Sequence, residues 1–85
     1  MKMKDKIDWH WTPHIKEQMI ERDIAAEDVE AALNYPDEIV PGKDRRKIYQ
    51  KMTAGKLLRV VTEERRLLTV YLTGKLNKYI KGGGE

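Results

Sequence analysis

The sequence predicts an α+β domain in which two N-terminal helices pack on one face of an antiparallel sheet. Up to Pro36 the apolar residues recur every three or four positions, and after Pro36 they alternate with polar residues; these are the periods of a helix and of a half-buried strand. A chain of 85 residues builds one hydrophobic core. Residues 1–81 are therefore predicted to form a single domain, and the glycine-rich residues 82–85 a disordered tail.

The first elements are predicted to be a strand and two short helices. Ile7, Trp9 and Trp11 alternate with polar residues and are assigned to one face of the strand. Thr12 is a preferred N-cap, and Pro13 suits the first helical position because its missing N–H is not needed there. The first helix is predicted over residues 13–22 and the second from residue 26 to the stop at residues 34–36. The helix positions assigned to the core are Ile15, Met19, Val29, Ala32 and Leu33, with Ile20 as a further candidate.

Four extended segments are predicted after Pro36: residues 38–40, 47–52, 57–62 and 67–72. The length of the loop between the last two decides which side chains share a face. A four-residue loop would place Arg59 among apolar side chains and bury its guanidinium. A five-residue loop that includes Leu67 avoids this, and we adopt it. The helix-covered face then carries Leu58, Val60, Leu68, Val70 and Leu72.

The other face of the sheet is predicted to be open, basic and rich in tyrosine. By the same alternation Ile48 and Met52 are assigned to the apolar face. The open face then presents Lys47, Tyr49, Lys51, Arg59, Thr69 and Tyr71. Basic groups pair with phosphate and tyrosines stack on unpaired bases, so this face predicts RNA binding. The alternative is that any sheet with one solvated face shows such residues there.

Charge is sorted along the chain. Residues 13–38 contain two basic and eight acidic residues, a net charge of −6, whereas residues 39–81 contain twelve basic and three acidic residues, a net charge of +9. The whole-chain value of +3 hides this asymmetry, which indicates a polyanionic partner.

Composition also excludes several classes of site. The chain has no cysteine, which rules out disulfides, thiolate metal sites and a cysteine nucleophile. Its two histidines are too few for a histidine-rich metal site, and a carboxylate-assisted site stays open but has no recognisable spacing. No metal or cofactor is expected. No apolar run approaches the roughly 18 residues of a membrane span, and the start lacks a signal-peptide pattern. We expect no membrane partner and a cytoplasmic location.

Candidate site residues follow from this charge and face assignment. The basic run at residues 43–47 is either a solvated loop or a phosphate-binding edge. The predicted nucleic-acid-binding residues are Arg45, Arg46, Lys47, Tyr49 and Lys51. The predicted catalytic residues are Arg59, to stabilise developing charge, and Tyr71, to move a proton, with Tyr49 as the alternative to Tyr71. His14 is a third catalytic candidate, although a lone histidine there can simply bond a neighbouring carbonyl or the Thr12 region.

An ordered set of motifs resembles an uncharacterised family of small bacterial domains. The first motif reads Thr12-x-His14-Ile15-x-x-x-Met19-x-x-Arg22-x-Ile24, against a family pattern of Thr-x-His-Ala-x-x-Arg-Met-x-x-Arg-Gly-Ile. The others read Glu27-Asp28-Val29-x-x-Ala32-Leu33-x-x-Pro36-Asp37-Glu38, Leu58-Arg59-Val60-Val61 and Leu68-Thr69-Val70-Tyr71. The resemblance covers residues 9–73, with Gln18 standing where the pattern has arginine. The family is commonly grouped with the RelE/ParE and BrnT toxin superfamily.

What the resemblance implies is a RelE-like β-α-α-β-β-β arrangement and an endoribonuclease toxin, acting on the ribosome or on free RNA and neutralised by an antitoxin protein. Two other functions stay open. One is a noncatalytic module that uses the same face for nucleic acid or an acidic peptide. The other is an interaction domain whose sheet edge pairs with a partner strand.

Overall fold

The computed structural model describes residues 8–74. The predictions for Ile7, for residues 75–81 as part of the domain and for the tail at residues 82–85 lie outside the described residues. The described elements are β1 (His10–Trp11), α1 (Pro13–Glu21), α2 (Ala26–Asn34), β2 (Glu38–Pro41), β3 (Arg46–Thr53), β4 (Lys56–Glu63) and β5 (Arg66–Thr73). Neither helix within residues 8–74 is long and apolar enough to cross a membrane.

The five strands form one mixed sheet in the order β1-β5-β4-β3-β2. The α+β class is confirmed, but the wholly antiparallel sheet is wrong, because β1 pairs parallel to β5 through His10 with Arg66 and Trp11 with Leu67. The β-α-α-β-β-β arrangement implied by the resemblance also has one strand too few, whereas the four extended segments predicted after Pro36 all form strands. The short segment Glu38–Pro41 is a strand of its own and pairs antiparallel with β3.

Thr12 fixes the start of α1 and joins it to the sheet. Its hydroxyl accepts a hydrogen bond from the Ile15 amide at 3.2 Å and donates one to the Leu67 carbonyl at 2.9 Å. Pro13 occupies the first helical turn. The predicted N-cap is thus confirmed, and it anchors α1 beside β5.

The end of α2 is tied to β3. Lys51 Nζ donates to the carbonyl of Tyr35, the residue that follows the helix, at 3.0 Å. Asp37 Oδ2 accepts from the Met52 amide at 2.8 Å. Because the first of these contacts uses the Lys51 ammonium group, the Lys51 side chain lies on the same side of the sheet as α2.

One hydrophobic core joins both helices to one face of the sheet. Trp9, Trp11, Met19 and Leu72 pack against its margin, whereas the assignment of Ile20 to the core is wrong, because Ile20 is 81% exposed. Its buried members are Ile15, Ile24, Val29, Ala32, Leu33, Tyr49, Leu58, Val60, Leu67 and Val70.

The hairpin between β4 and β5 has a tighter turn than predicted. Glu63 pairs with Arg66, so the turn holds two residues rather than five. A register shift then occurs between Val61 and Thr62, which leaves Leu68 as an extra residue in β5, the mark of a β-bulge. Beyond the bulge the predicted faces are confirmed, because Arg59 lies opposite Tyr71, and Val60 opposite Val70. Leu67, not Leu68, belongs to the core.

The predicted faces of β3 are wrong. The two-residue turn at Ala54 and Gly55 pairs Thr53 with Lys56, and this register continues so that Tyr49 lies opposite Val60. Directly opposed residues of an antiparallel pair share a face. The helix-bearing side therefore receives Lys47, Tyr49 and Lys51, and the other side receives Ile48, Gln50 and Met52 together with Arg59.

The outer edge of β5 is closed by side chains of α1. The Gln18 Oε1 atom accepts from the Val70 amide at 3.0 Å and from the Thr69 hydroxyl at 2.6 Å. Arg22 Nη1 donates to the Val70 carbonyl at 2.7 Å. Both backbone groups of Val70 at this edge are thus satisfied without another strand.

Candidate functional site

A concave pocket of about 510 Å³ opens at the end of the sheet where β3 begins and β4 turns into β5. It lies on the helix-bearing side, because Lys47 and Thr62 are opposed there in the register of Tyr49 and Val60. The pocket is called the basic pocket below. Its lining residues are Trp9, Arg45, Lys47, Tyr49, Thr62, Glu64 and Arg65.

Two aromatic rings form the apolar part of the basic pocket. Trp9 and Tyr49 meet edge to face, with ring centroids 5.4 Å apart and planes at 85°. Trp9 is held there because the next residue, His10, donates its amide to the Arg65 carbonyl at 2.7 Å. Tyr49 is buried, and this burial raises the pKa of its phenol above the usual 10.0. Trp9 is only half-buried, so its ring is accessible to a ligand.

The rim of the basic pocket carries excess positive charge. Arg45 Nη1 lies 3.4 Å from Glu64 Oε2, with both side chains more than 60% exposed (77% and 63%), and an exposed pair of this kind adds little stability. Among residues 8–74, Lys47 and Arg65 form no ion pair with a carboxylate. The pocket therefore offers cations that an anion can pair with at small cost in existing contacts.

A second group of polar side chains crosses the opposite face of the sheet. Gln50 Nε2 donates to Glu38 Oε1 at 3.4 Å, and Gln50 Oε1 accepts from Arg59 Nε at 2.7 Å. Arg59 Nη1 donates to the Tyr71 hydroxyl at 2.6 Å, with the guanidinium 5.7 Å from the centre of that ring. These four residues, one from each of β2 to β5, are called the polar row. Arg59 is only 8% exposed.

The predicted site residues are divided between these two places. Arg45, Lys47 and Tyr49 meet in the basic pocket, and Arg59 and Tyr71 meet in the polar row. Arg46 lies 3.7 Å from Glu63 and does not line the pocket. Lys51 is engaged at the end of α2.

The predicted open face is therefore corrected in two respects. It lacks Lys47, Tyr49 and Lys51, which lie on the helix-bearing side, and it buries Arg59 rather than presenting it to solvent. His14 lies exposed in the first turn of α1. That helix packs on the other side of the sheet from the polar row, so His14 is not brought to Arg59 and Tyr71.

Sequence reasoning missed several residues of the two places. The sequence places Trp9 only on one face of the first strand, and Glu64 and Arg65 only in the loop between the last two strands. A two-residue turn at Glu64 and Arg65 would have drawn attention to them, because it sets them beside the basic run at residues 43–47. The missed members of the polar row are Glu38 and Gln50. Within residues 8–74 there is no group of three or more His, Cys, Asp or Glu side chains that could hold a metal ion.

Fold and pocket together define a class: a small α+β domain with two helices on a five-stranded mixed sheet and a basic, aromatic pocket at one end. The chain belongs to the family described as a domain of unknown function, DUF4258, whose family model matches residues 11–72. This confirms the resemblance to an uncharacterised family of small domains. No curated protein and no solved structure matches the chain.

Proposed function

We propose that this chain is an RNA-binding domain of the RelE/ParE and BrnT toxin type, and that it holds single-stranded RNA in the basic pocket. The observation that carries the proposal is the pairing of an accessible Trp9 with Arg45, Lys47 and Arg65 in one concavity. Aromatic rings bind bases and cations bind phosphates, and single-strand sites combine the two.

The chemistry of the pocket favours a single strand over a duplex. Only an unpaired base exposes a face that can stack on Trp9. A volume of about 510 Å³ is within the range of small-ligand pockets and accommodates a nucleotide unit. The acidic helical stretch, with a net charge of −6 over residues 13–38, repels the RNA backbone and so directs it towards the basic end of the sheet.

The first experiment measures fluorescence anisotropy of a labelled single-stranded RNA at low salt. Arg45→Glu and Arg65→Glu are each expected to weaken binding by about tenfold or more, because each replaces a phosphate-binding cation by an anion. Lys56→Glu is the matched control, since it makes the same charge change at the opposite end of β4. Equal weakening by all three variants would mean that only net charge matters, and would contradict a pocket.

The salt dependence gives an independent measure of the same contacts. Three cations on three phosphates predict a slope of log K against log salt of about −2, at roughly −0.7 per phosphate. Trp9→Leu should weaken binding by about 1–3 kcal/mol through lost stacking while leaving the salt slope unchanged. Circular dichroism checks that this variant stays folded.

Endoribonuclease activity is the second candidate function, and the Arg59–Tyr71 hydrogen bond favours it. Tyr71 accepts from the guanidinium at 2.6 Å, so its own hydroxyl proton stays available to donate to a leaving group. Such a toxin would act on cytoplasmic RNA, free or ribosome-bound, and an antitoxin would neutralise it.

Tyr71→Phe tests the catalytic proposal. It should lower RNA cleavage by about a hundredfold or more and leave anisotropy binding unchanged, because Tyr71 lies across the sheet from the basic pocket. The assay uses free RNA and translating ribosomes in parallel. Wild-type protein that cleaves in neither setting, and does not slow growth when expressed, would refute the enzyme and leave the binding module.

A further inference from the structure

The two edges of the sheet differ in how they are protected. At the β5 edge, β1 pairs with the first residues, and Gln18 and Arg22 bond the backbone of Val70. At the other edge, β2 is the outermost strand of the described residues. An unprotected edge strand is a template for pairing with another strand.

The backbone of β2 directs specific groups outward. Gly42 donates its amide to the Arg46 carbonyl at 2.9 Å, so Gly42 faces β3. Because both backbone groups of a residue in an antiparallel ladder point to the same neighbour, Val40 also faces β3, while Ile39 and Pro41 face away from the sheet. The outward groups are thus the Ile39 amide and the carbonyls of Ile39 and Pro41.

Apolar side chains accompany these groups. Ile39 is 48% exposed, and Tyr35, which follows α2 and is bonded by Lys51, is 74% exposed. Large apolar residues that stand exposed beside an open strand are a feature of contact surfaces rather than of protected edges.

The charges along this edge are self-complementary when the strand is reversed. Asp37 and Glu38 lie at its beginning, and Lys43 follows its end. The Asp37 side chain is still 53% exposed, although its carboxylate accepts from the Met52 amide and lies 4.0 Å from Lys51 Nζ. We propose that two copies of this chain pair antiparallel through β2 about a two-fold axis at Val40, which forms a continuous ten-stranded sheet. This register sets Asp37 opposite Lys43 of the second copy, and Ile39 opposite Pro41.

Proline is compatible with this register. Each Ile39 amide donates to the Pro41 carbonyl of the second copy, whereas the Ile39 carbonyl receives no bond in return because Pro41 has no N–H. The pair therefore forms with one hydrogen bond instead of two. A strand of arbitrary sequence would match neither the acidic beginning nor the basic end of β2, so the second copy is the occupant that the charges favour. The dimer is expected to be weak because one four-residue strand per copy buries little area.

Cysteine cross-linking tests the register, since the chain has no cysteine of its own. In the proposed dimer Val40 is opposite itself in a non-hydrogen-bonded pair, with a Cα separation of about 4.5 Å, which a disulfide can span. Val40→Cys should give a covalent dimer under mild oxidation. Ile20→Cys, at an 81% exposed position on α1, is the control and should not.

Sedimentation velocity over a range of concentrations tests the association itself. Wild-type protein should show a concentration-dependent dimer, which Ile39→Lys and Lys43→Glu should each weaken by about tenfold or more, whereas Ile20→Lys should not. A monomer at every concentration would overturn the proposal. A dimer that is insensitive to both β2 variants, or a Val40→Cys protein that cross-links no faster than the control, would overturn it equally.

Discussion

Gln18 offers the sharpest test of how the helices are attached to the sheet. It is 8% exposed, and its carbonyl oxygen is the acceptor for the Val70 amide and the Thr69 hydroxyl. Gln18→Met keeps the length of the side chain and removes that acceptor. Val70 is fully buried, so its amide cannot turn to water instead.

The magnitude follows from the two lost bonds. A buried amide left without a partner costs about 1–3 kcal/mol, and the hydroxyl, which can rotate, loses a bond worth about 0.5–1.5 kcal/mol. We expect the free energy of unfolding to fall by about 2–4 kcal/mol. That is a large fraction of the roughly 4–13 kcal/mol that a domain of this size possesses.

Urea unfolding followed by circular dichroism measures this change. Gln18→Glu, which keeps an oxygen acceptor next to Arg22, is expected to lose less, and Glu17→Met, on the exposed side of the same helix, should change stability by less than about 0.5 kcal/mol. If Gln18→Met were no more destabilising than Glu17→Met, the bonds to β5 would not hold α1 in place.

Two further predictions concern the turn before β4 and Tyr49 in the basic pocket. Ala54 has a φ of 53° and precedes Gly55, which has a φ of 82°. Because Asn tolerates such angles and Asn-Gly is the preferred type I′ turn, Ala54→Asn should raise the free energy of unfolding in urea titrations by about 0.5–1 kcal/mol. A lower free energy of unfolding would refute the turn geometry. Burial raises the pKa of Tyr49, so the unfolded chain loses the phenolic proton at a lower pH than the folded chain. The stability that the neutral, buried phenol contributes is complete below about pH 10 and is lost as the pH rises through the folded-state pKa. Tyr49→Phe should therefore flatten the alkaline decline in unfolding free energy, and an unchanged decline would contradict the buried phenol.

Local signals in the sequence were sufficient for the helices and for most strand positions. Thr12 and Pro13 mark the start of α1, and the change of apolar period after Pro36 marks the start of the sheet. These features depend on neighbours a few residues apart, for which capping and periodicity are reliable.

The faces of β3 were misassigned although the information was present. A turn confined to Ala54 and Gly55 makes Gln50 and Arg59 partners. Even-numbered residues of β3 therefore share a face with odd-numbered residues of β4. The prediction applied alternation within β3 without using the register that this turn imposes. Every side chain of β3 was therefore assigned to the wrong face, as happens in a one-residue slip.

Other features depend on contacts that no local pattern reports. The bulge at Leu68 corrects the register only because both strands must keep their apolar side chains in one core. Trp9 and Arg65 are far apart in sequence, and they line one pocket because β1 lies beside β5. Arg45, Lys47 and Tyr49 could therefore be predicted as members of a nucleic-acid site, but Trp9, Arg65 and the position of the pocket could not.

Amide chemical shifts of isotope-labelled protein, followed by NMR during titration with a short single-stranded RNA, test the proposed RNA binding most directly. RNA bound in the basic pocket predicts the largest shifts at the Trp9 indole and at the amides of Lys47, Thr62 and Arg65, with the residues of the polar row changing little. The largest shifts at Gln50, Arg59 and Tyr71 with none in the basic pocket, or no shifts at all at low salt, would contradict RNA binding at this pocket.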